Sequence, residues 1–520
     1  MKSDITVMLV TLASAAVFAV TLFFIGTSTQ EKEEEAVFAA TEENNFVSTE
    51  DDSEAADDNA GQYDAVSDVK EDNDGTADAV LQDKETDYEL PYTLSKMKET
   101  DYFEISITGL SNEKSDDVLL AEEYSIYGTM LGKGMPVEEY KAAMETEWID
   151  CTEYGMEAET VVIDINEEIR YDDYVRYLKM LSRYDGVYLY QIGTSTDNRP
   201  LYAIEIDITS EYDKETFILT GQTHTREYAG GVFILKQLSE LIAEAQTDSD
   251  IMEMLKHYRY AAVPIISLDV REYIIDNPLE WSKANQLYKA YADGTDGNRN
   301  YPGLQWGQIA KGNKLRALIE DAPGYANYPG DYAGSANETK AMMKFFYHYV
   351  VVEQALIHLD YHQQGSIIYA GKPWQTEEQQ ERCMELAQNL CTILNSNNRR
   401  KYEYRAEEAD YGLRGEGSTA SDYTAAIAAG AKFSPAFGYC VMTDNIKEYP
   451  LIEFVKLDYE MYGFNEINPD FATATFEIGY GKNYIGYTKE VRAYLAREYE
   501  DYNFSEVLKA LPELSEENQK

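Results

Sequence analysis

Two of the five histidines stand in segments whose residue types could bind a metal ion. His224 lies in GQTHTREYAGG (residues 221–231), three positions before Glu227, and His362 lies in LDYHQQG (residues 359–365). Either segment alone is a weak signal, because His-x-x-Glu arises by chance in a glutamate-rich chain and a lone histidine at a strand end is more often structural. Taken together, two imidazoles and one carboxylate are the ligand set of a catalytic zinc site, which leaves a fourth position open for water.

The elements that must hold these side chains can be predicted from the apolar pattern around them. The run from Phe217 to Thr220 predicts a strand that ends at the first motif, and the run from Ala355 to Tyr361 predicts a strand that ends at His362. Residues 232–245 carry apolar side chains at helix spacing directly after the first motif. Because strands and helices of this length alternate, the sequence predicts an α/β fold with a mixed central sheet and helices on both faces. Further strands are predicted at 187–193, 201–206, 260–266 and 471–478, and further helices at 174–182, 336–351, 376–394 and 488–499.

Glu477 is a third candidate for chemistry, in the late strand at residues 471–478. Phe476 and Ile478 flank it, so the alternation of a strand turns Glu477 away from these apolar side chains and toward a site. By itself such a residue is more often a solvated carboxylate at a strand end. Beside the two histidine motifs it is a candidate general base.

Five segments resemble the motifs of the zinc carboxypeptidases of the carboxypeptidase A type, and they follow one another along the chain in the family's order. GQTHTREYAGG and HLDYHQQG resemble the two zinc-ligand motifs, and FATATFEIGYG, residues 471–481, resembles the strand that carries the catalytic glutamate. GNRNYPGLQWG, residues 297–307, resembles the Asn-Arg-Asn segment, and YPGDYAGSANETKAMMKFF, residues 328–346, resembles the helix before the second histidine. The resemblance runs from about Ile169 to the closing helix and implies the zinc carboxypeptidase-like fold, here in a bacterial membrane-anchored member.

The resemblance implies one zinc ion per chain, with His224, Glu227 and His362 as its ligands. Glu477 would be the general base that accepts a proton from the attacking water and later delivers it to the leaving amine. The expected activity is hydrolysis of the C-terminal peptide bond of peptides.

The same resemblance implies residues that bind the substrate. Asn298 and Arg299 would hold its free terminal carboxylate, because the planar guanidinium fork matches a carboxylate with two hydrogen bonds. Tyr411 is the candidate for the mobile tyrosine that closes over the bound residue. Ser421 would lie near the floor of the specificity pocket, and an uncharged floor would disfavour strictly basic side chains.

One position departs from the family pattern. Where the family has an arginine after a tryptophan, to stabilise the oxyanion, this chain has Ser282 after Trp281. Lys283, the next residue, or Arg271 in DVREY would be the replacement. Loss of an oxyanion donor costs about 2.7–4 kcal/mol of transition-state stabilisation, so this element decides much of the rate.

The N-terminal segment predicts export. Residues 5–25 are an uninterrupted apolar run of the length that crosses a bilayer, with Lys2 before it and acidic residues after it. We therefore expect residues 1–27 to be a single-pass membrane anchor with the catalytic domain outside the cell. Secretion after cleavage of a signal segment is the alternative.

Charge divides the rest of the chain and limits its partners. Residues 31–90 hold 22 acidic residues against 3 lysines, too polar to bury a core. The sequence predicts a disordered acidic linker at 28–86, a small accessory domain at 87–166, the catalytic domain at 167–510 and an acidic tail at 511–520. The net charge of −51 excludes nucleic acid as a partner, because phosphate binding needs clustered lysine and arginine.

Three functions remain open on the sequence. The first is a zinc carboxypeptidase acting on peptides with a free C-terminal carboxylate. The second is a cell-wall enzyme, because HQQGSIIY also resembles the corresponding segment of the γ-D-glutamyl-diaminopimelate peptidases, which act on peptidoglycan stem peptides. The third is a binding protein that has lost turnover.

Overall fold

The computed structural model describes most of the chain between residues 134 and 518. Within the described residues no helix combines the length and the apolar character needed to cross a bilayer. The predicted anchor at 1–27 and the predicted linker at 28–86 lie outside them, so both stay predictions. The described residues are 134–209, 212, 214–276, 289–303, 306, 308–311, 314–317, 323–324, 327–370, 377–408, 419–433, 440–441, 462–463, 467–480 and 486–518.

A nine-stranded mixed sheet forms the centre of the described structure, in the order β1-β2-β3-β5-β4-β8-β14-β9-β10. Four neighbours at its middle, β5, β4, β8 and β14, pair in parallel, and the strands flanking them, β3 and β9, are antiparallel to them. Parallel strands buried on both faces require near-continuous apolar sequence, which is the pattern that made these strands predictable. The strands are β1 Ile149–Asp150, β2 Val187–Thr194, β3 Pro200–Ile206, β4 Glu215–Gly221, β5 Tyr258–Val263, β8 Ile357–His362, β9 Ile367–Ala370, β10 Arg405–Glu408 and β14 Ala472–Glu477.

Within the described residues, two small sheets share no backbone hydrogen bonds with the strands of the central sheet. One is a hairpin and the other has three strands in the order β12-β11-β13. Their strands are β6 Gln308–Lys311, β7 Lys314–Ala317, β11 Lys432–Phe433, β12 Cys440–Val441 and β13 Tyr462–Gly463.

Helices cover both faces of the central sheet, as the sequence predicts. On one face Phe504, at the start of α10, contacts Phe476 of β14 and Phe233 of α3. On the other face Ser421 of α8 hydrogen-bonds Thr475 of β14. The helices are α1 Val137–Glu145, α2 Tyr171–Leu181, α3 Tyr228–Ala245, α4 Ser249–His257, α5 Asp269–Asp276, α6 Asn337–Phe346, α7 Glu377–Asn395, α8 Ala420–Ala428, α9 Lys489–Asp501 and α10 Phe504–Asn518.

The helix predicted at 336–351 is not uniform. It is an α-helix as far as Phe346, and a π-helical turn from Tyr347 to Val352 then leads into β8. Apolar periodicity continues through both parts, so the sequence pattern did not separate them.

The two ends of the described chain pack into the main core. Residues 134–166, from the predicted accessory domain, contribute Met135 and Ile163 to the same core as the sheet. The boundary at 166 stays a prediction, since most of that segment is outside the described residues. The tail predicted at 511–520 is wrong over its described length: α10 continues through it, and Leu511 and Leu514 are buried. These two leucines continue the apolar stripe of the helix, which outweighs the acidic composition.

Candidate metal centre

Three parallel strands deliver the candidate chemical groups to one edge of the sheet. Strand β4 ends at Gly221, just before His224, and His362 is the last residue of the neighbouring β8. Glu477 is the last residue of β14 and lies in register with His362. Because parallel strands end at the same edge, residues far apart in sequence meet there.

Two adjacent glycines allow the first motif to turn tightly from strand to helix. Glu227 immediately precedes α3. A Cβ atom on Gly230 would lie 2.4 Å from the carbonyl oxygen of Tyr361, and one on Gly231 would lie 2.5 Å from Ile265. The helix can therefore approach the strand ends only with glycine at these positions, and this approach brings Glu227 toward His362.

The three predicted ligands meet through their metal-binding atoms. Nδ1 of His224 lies 2.8 Å from Oε1 of Glu227, and Nδ1 of His362 lies 2.9 Å from Oε2 of the same carboxylate. The two Nδ1 atoms are 3.3 Å apart, and one donor atom from each residue lies within 4.8 Å of the others. Ligands at 2.0–2.1 Å around a tetrahedral zinc ion are about 3.3 Å from one another, so the donor set fits zinc in both type and spacing.

A carboxylate stands behind each imidazole ring. Nε2 of His224 lies 3.1 Å from Oδ1 of Asp296, and Nε2 of His362 lies 2.8 Å from Oδ2 of Asp360. A carboxylate that accepts the Nε2 proton leaves the Nδ1 lone pair for a metal. Sequence reasoning missed both carboxylates.

Burial and neighbouring charge act in opposite directions on the ionisable groups of the site. Burial alone raises the pKa of Glu227, but the charges and hydrogen bonds of His224 and His362 bring it well below its usual range. In the same way, burial raises the pKa of Asp296 and of Asp360, and the histidine next to each lowers it below the ordinary value. In the metal-free protein each of these carboxylates is therefore held ionised by the imidazole beside it.

Glu477 differs from the other carboxylates of the site. Burial, and then the negative charge of Glu227, raise its pKa to about 8, against the smaller opposing effect of nearby cations. Phe476, next to it, points to the opposite face and contacts Tyr361, so the alternation predicted from the sequence is observed. A carboxyl group with raised pKa beside a metal site has the property expected of a proton-transfer group.

The substrate-binding candidates lie at different distances from this cluster. Nδ2 of Asn298 lies 3.3 Å from Nε2 of His362, and its Oδ1 accepts a hydrogen bond from the backbone N–H of Ala420. Arg299 follows in the same short 3₁₀ turn and donates from Nη1 to the carbonyl of Asn298 at 2.7 Å. Ser421 is buried, with its Oγ 2.8 Å from Oγ1 of Thr475. Tyr411 lies outside the described residues.

Of the two candidates to replace the missing arginine, Arg271 lies within the described residues. Arg271 pairs with Glu272 and donates to the carbonyl of Ile169. Its guanidinium lies 5.7 Å and 5.5 Å from the ring centroids of Tyr228 and Tyr487, which are themselves 5.1 Å apart, so these contacts occupy it away from the cluster. Its assignment as the oxyanion donor is therefore corrected, because a guanidinium held in this way supports the entry to α2 and α3. Lys283 lies outside the described residues.

Lys289 is a cation near the centre that sequence reasoning missed. The next residue, Ala290, forms a β-bridge with Asp296, and its carbonyl accepts a hydrogen bond from Thr225 Oγ1 at 2.8 Å. The charge of Lys289 is among those that lower the pKa values of Asp296 and Glu477. No sequence pattern marks this lysine, since the loop before the Asn-Arg-Asn segment has no regular period.

A family model described as Zinc carboxypeptidase (Peptidase_M14) matches residues 174–454, more than half of the chain. The chain belongs to this family. The matched range contains His224, Glu227 and His362 and ends before Glu477. Since the family and the ligand set agree, the predicted zinc cofactor is confirmed.

Known relatives of the zinc carboxypeptidase family match this chain over limited lengths. Carboxypeptidase B2 of Bos taurus is 26% identical over 169 residues, which are 32% of this chain and 38% of that protein. The chain thus spans less than half the length of this relative. The inactive metallocarboxypeptidase ecm14 of Schizosaccharomyces pombe is 24% identical over 105 residues, 19% of this chain and 21% of that one. The crystal structure of carboxypeptidase A from Helicoverpa armigera is 14% identical with a TM-score of 0.49, covering 76% of this chain and 81% of that one.

Proposed function

We propose that this zinc carboxypeptidase-family hydrolase is an active metallocarboxypeptidase that removes the C-terminal residue of peptides outside the cell. The observation that carries the proposal is the joint placement of His224, Glu227 and His362 around one point, with Glu477 in register beside His362. Three protein ligands plus a separate carboxylate of raised pKa are the components of metal-assisted hydrolysis.

The proposed mechanism assigns metal binding to three residues and proton transfer to a fourth. His224, Glu227 and His362 would hold the zinc ion, which when bound acts as a Lewis acid on the scissile carbonyl and lowers the pKa of a coordinated water. Glu477 takes a proton from the attacking water and passes it to the leaving amine nitrogen, so that the tetrahedral species collapses toward products. The position of Glu477 at the end of β14, in register with the ligand His362, supports this role.

Arg299 supports the choice of an exopeptidase. It is nearly fully buried, and its contact with the carbonyl of Asn298 fixes one edge of the guanidinium. A buried, oriented guanidinium binds a carboxylate with two hydrogen bonds and discriminates against a neutral chain end. The substrate proposed is therefore a peptide with a free C-terminal carboxylate.

The proposed location of the catalytic domain is outside the cell. The apolar run at residues 5–25 supports attachment to the cell membrane with the catalytic domain outside, and cleavage of this segment would give a secreted enzyme. Extracellular peptides, or peptides of the cell wall, would then be the accessible substrates.

The experiment combines metal analysis with substrate comparison on the purified full chain. We expect about one zinc ion per chain, lost in His224→Ala, and release of C-terminal residues that stops when a chelator removes the metal. Peptides and their C-terminal amides form the matched substrate pair, and equal cleavage of the two would refute the carboxypeptidase assignment. Cleavage of muropeptides alone would favour the cell-wall function, and zinc binding with no hydrolysis of either panel would favour a binding protein.

A further inference from the structure

Asp360 occupies a special position relative to the zinc ligand His362. It lies two residues earlier on β8, so both side chains project from the same face of the sheet. Its side chain is fully buried, and Oδ2 lies 2.8 Å from Nε2 of His362. A buried carboxylate is retained only where hydrogen bonds or charges compensate its lost hydration.

The second oxygen of Asp360 is held from the neighbouring strand. Oδ1 accepts a hydrogen bond of 2.7 Å from Oγ1 of Thr220, which lies directly opposite on β4. The same hydroxyl oxygen lies 2.8 Å from Nε2 of His358. A threonine hydroxyl has one proton, so once it donates to Asp360 it must accept from His358, and Nε2 of His358 carries a proton.

These contacts form a directed chain of hydrogen bonds that ends at the metal centre. His358 donates to Thr220, Thr220 donates to Asp360, and Asp360 is left as an acceptor for Nε2–H of His362. With its proton on Nε2, the neutral ring of His362 presents the lone pair of Nδ1. That atom lies 2.9 Å from Oε2 of Glu227, on the side where the three ligands meet.

We propose that Asp360, oriented by Thr220 and His358, is a positioning residue that fixes the tautomer and the ring orientation of His362 for zinc binding. The inference rests on the zinc centre and not on carboxypeptidase activity, so a chain that binds zinc without hydrolysing peptides would leave it intact. Loss of such an outer carboxylate typically weakens metal binding 10- to 100-fold.

Two substitutions test the chain at different points. Asp360→Asn keeps the shape but weakens the acceptor, and we expect the dissociation constant for zinc to rise by about 10- to 100-fold. Thr220→Val removes only the hydroxyl that orients Asp360, so a smaller rise is expected. Thr220→Ser keeps a hydroxyl and should bind zinc more tightly than Thr220→Val, which separates the hydrogen bond from loss of packing.

Thr216→Val is the matched control. Thr216 lies on the same strand and the same face as Thr220 and is equally buried, but its hydroxyl has no hydrogen-bond partner in the described structure. The same substitution there should leave zinc affinity unchanged.

The readout is the zinc dissociation constant of the full chain, measured by competition with a chromophoric chelator. Thermal unfolding of the metal-free proteins, measured in parallel, reports whether each variant is folded. A folded Asp360→Asn with zinc affinity within twofold of the parent would overturn the inference. If Asp360→Asn does not fold, equal affinities of Thr220→Val and Thr220→Ser would overturn it, as would equal losses in Thr220→Val and Thr216→Val.

Discussion

Replacement of Glu477 by glutamine separates proton transfer from metal binding. Glutamine keeps the size of the side chain but has no basic oxygen, and Glu477 is not among the three residues whose donor atoms meet. A positioned general base contributes about 100- to 10,000-fold to rate. We therefore expect kcat/KM to fall by two to four orders of magnitude, which is about 3–5.5 kcal/mol of transition-state stabilisation, while zinc content stays at the parent value.

The pH dependence of this effect follows from the surroundings of Glu477. Burial and the charge of Glu227 raise its pKa to about 8 in the metal-free protein. A bound divalent cation opposes this rise, so in the zinc-loaded enzyme the pKa lies below that value. As the proposed general base, Glu477 would act when deprotonated, so kcat/KM should increase with pH through this pKa, and the acidic limb should be absent in Glu477→Gln.

The assay measures hydrolysis of a peptide with a free C-terminal carboxylate across pH, with zinc determined on the same samples by mass spectrometry. Glu244→Gln is the control, because it makes the same change of charge at a partly exposed residue that pairs with Lys509. A Glu477→Gln protein that keeps its zinc and more than a tenth of parental kcat/KM would show that another group carries the proton.

Three further changes test other parts of the structure. Arg299→Lys keeps the charge but loses the planar guanidinium fork, so kcat/KM for peptides with a free carboxylate should fall about 10- to 150-fold. Any cleavage of the C-terminal amides should stay unchanged, and equal losses on both substrates would contradict this role of Arg299. Lys289→Met removes a charge that lowers the pKa of Glu477, so the acidic limb of the pH profile should move to higher pH at constant zinc content, and an unmoved limb would count against it. Burial, and then the charges of Asp293 and Asp269, raise the pKa of Glu338 in the folded protein well above its usual range. The contribution of Glu338 to folding stability is therefore complete below its pKa in the unfolded chain, and it is lost as the pH rises through its pKa in the folded protein. Melting temperatures from pH 5 to 9 should therefore fall less steeply in Glu338→Gln than in the parent, and parallel curves would exclude this contribution.

Much of the fold was accessible from the sequence because the central strands are buried on both faces. Strand β4 was predicted at 217–220 and is observed at 215–221, and β8 was predicted at 355–361 and is observed at 357–362. Apolar runs of this kind can be recognised from the local sequence, without knowledge of tertiary contacts. The short helix α8 was not predicted, because its run of small residues has little amphipathic pattern. Its start is marked only by the capping box that Thr419 and Asp422 form.

The metal ligands were predictable because His224 and Glu227 are close in sequence and His362 ends a predictable strand. Lys289, by contrast, lies in a segment whose sequence has neither helix nor strand periodicity. Lys283 was proposed because it follows Trp281 and Ser282, and Arg271 in DVREY was the second possibility; the structure places the guanidinium of Arg271 beside the rings of Tyr228 and Tyr487. The charge of Lys289 acts on Asp296 and Glu477 from a segment whose next residue, Ala290, bridges to Asp296, and no pattern in the sequence encodes that bridge.

The two carboxylates behind the imidazoles differ in how far they could have been foreseen. Asp360 stands two positions before His362 on a strand, and side chains at that spacing share a face, so Asp-x-His at a strand end itself predicts a carboxylate beside the ring. Asp296 has no such relation to His224, since 72 positions separate them and the contact of 3.1 Å depends on the fold of the intervening loop. The same chemistry therefore has a sequence signature at one histidine and none at the other. A strand gives a fixed geometry between residues two apart, and a loop contact exists only once the chain has folded.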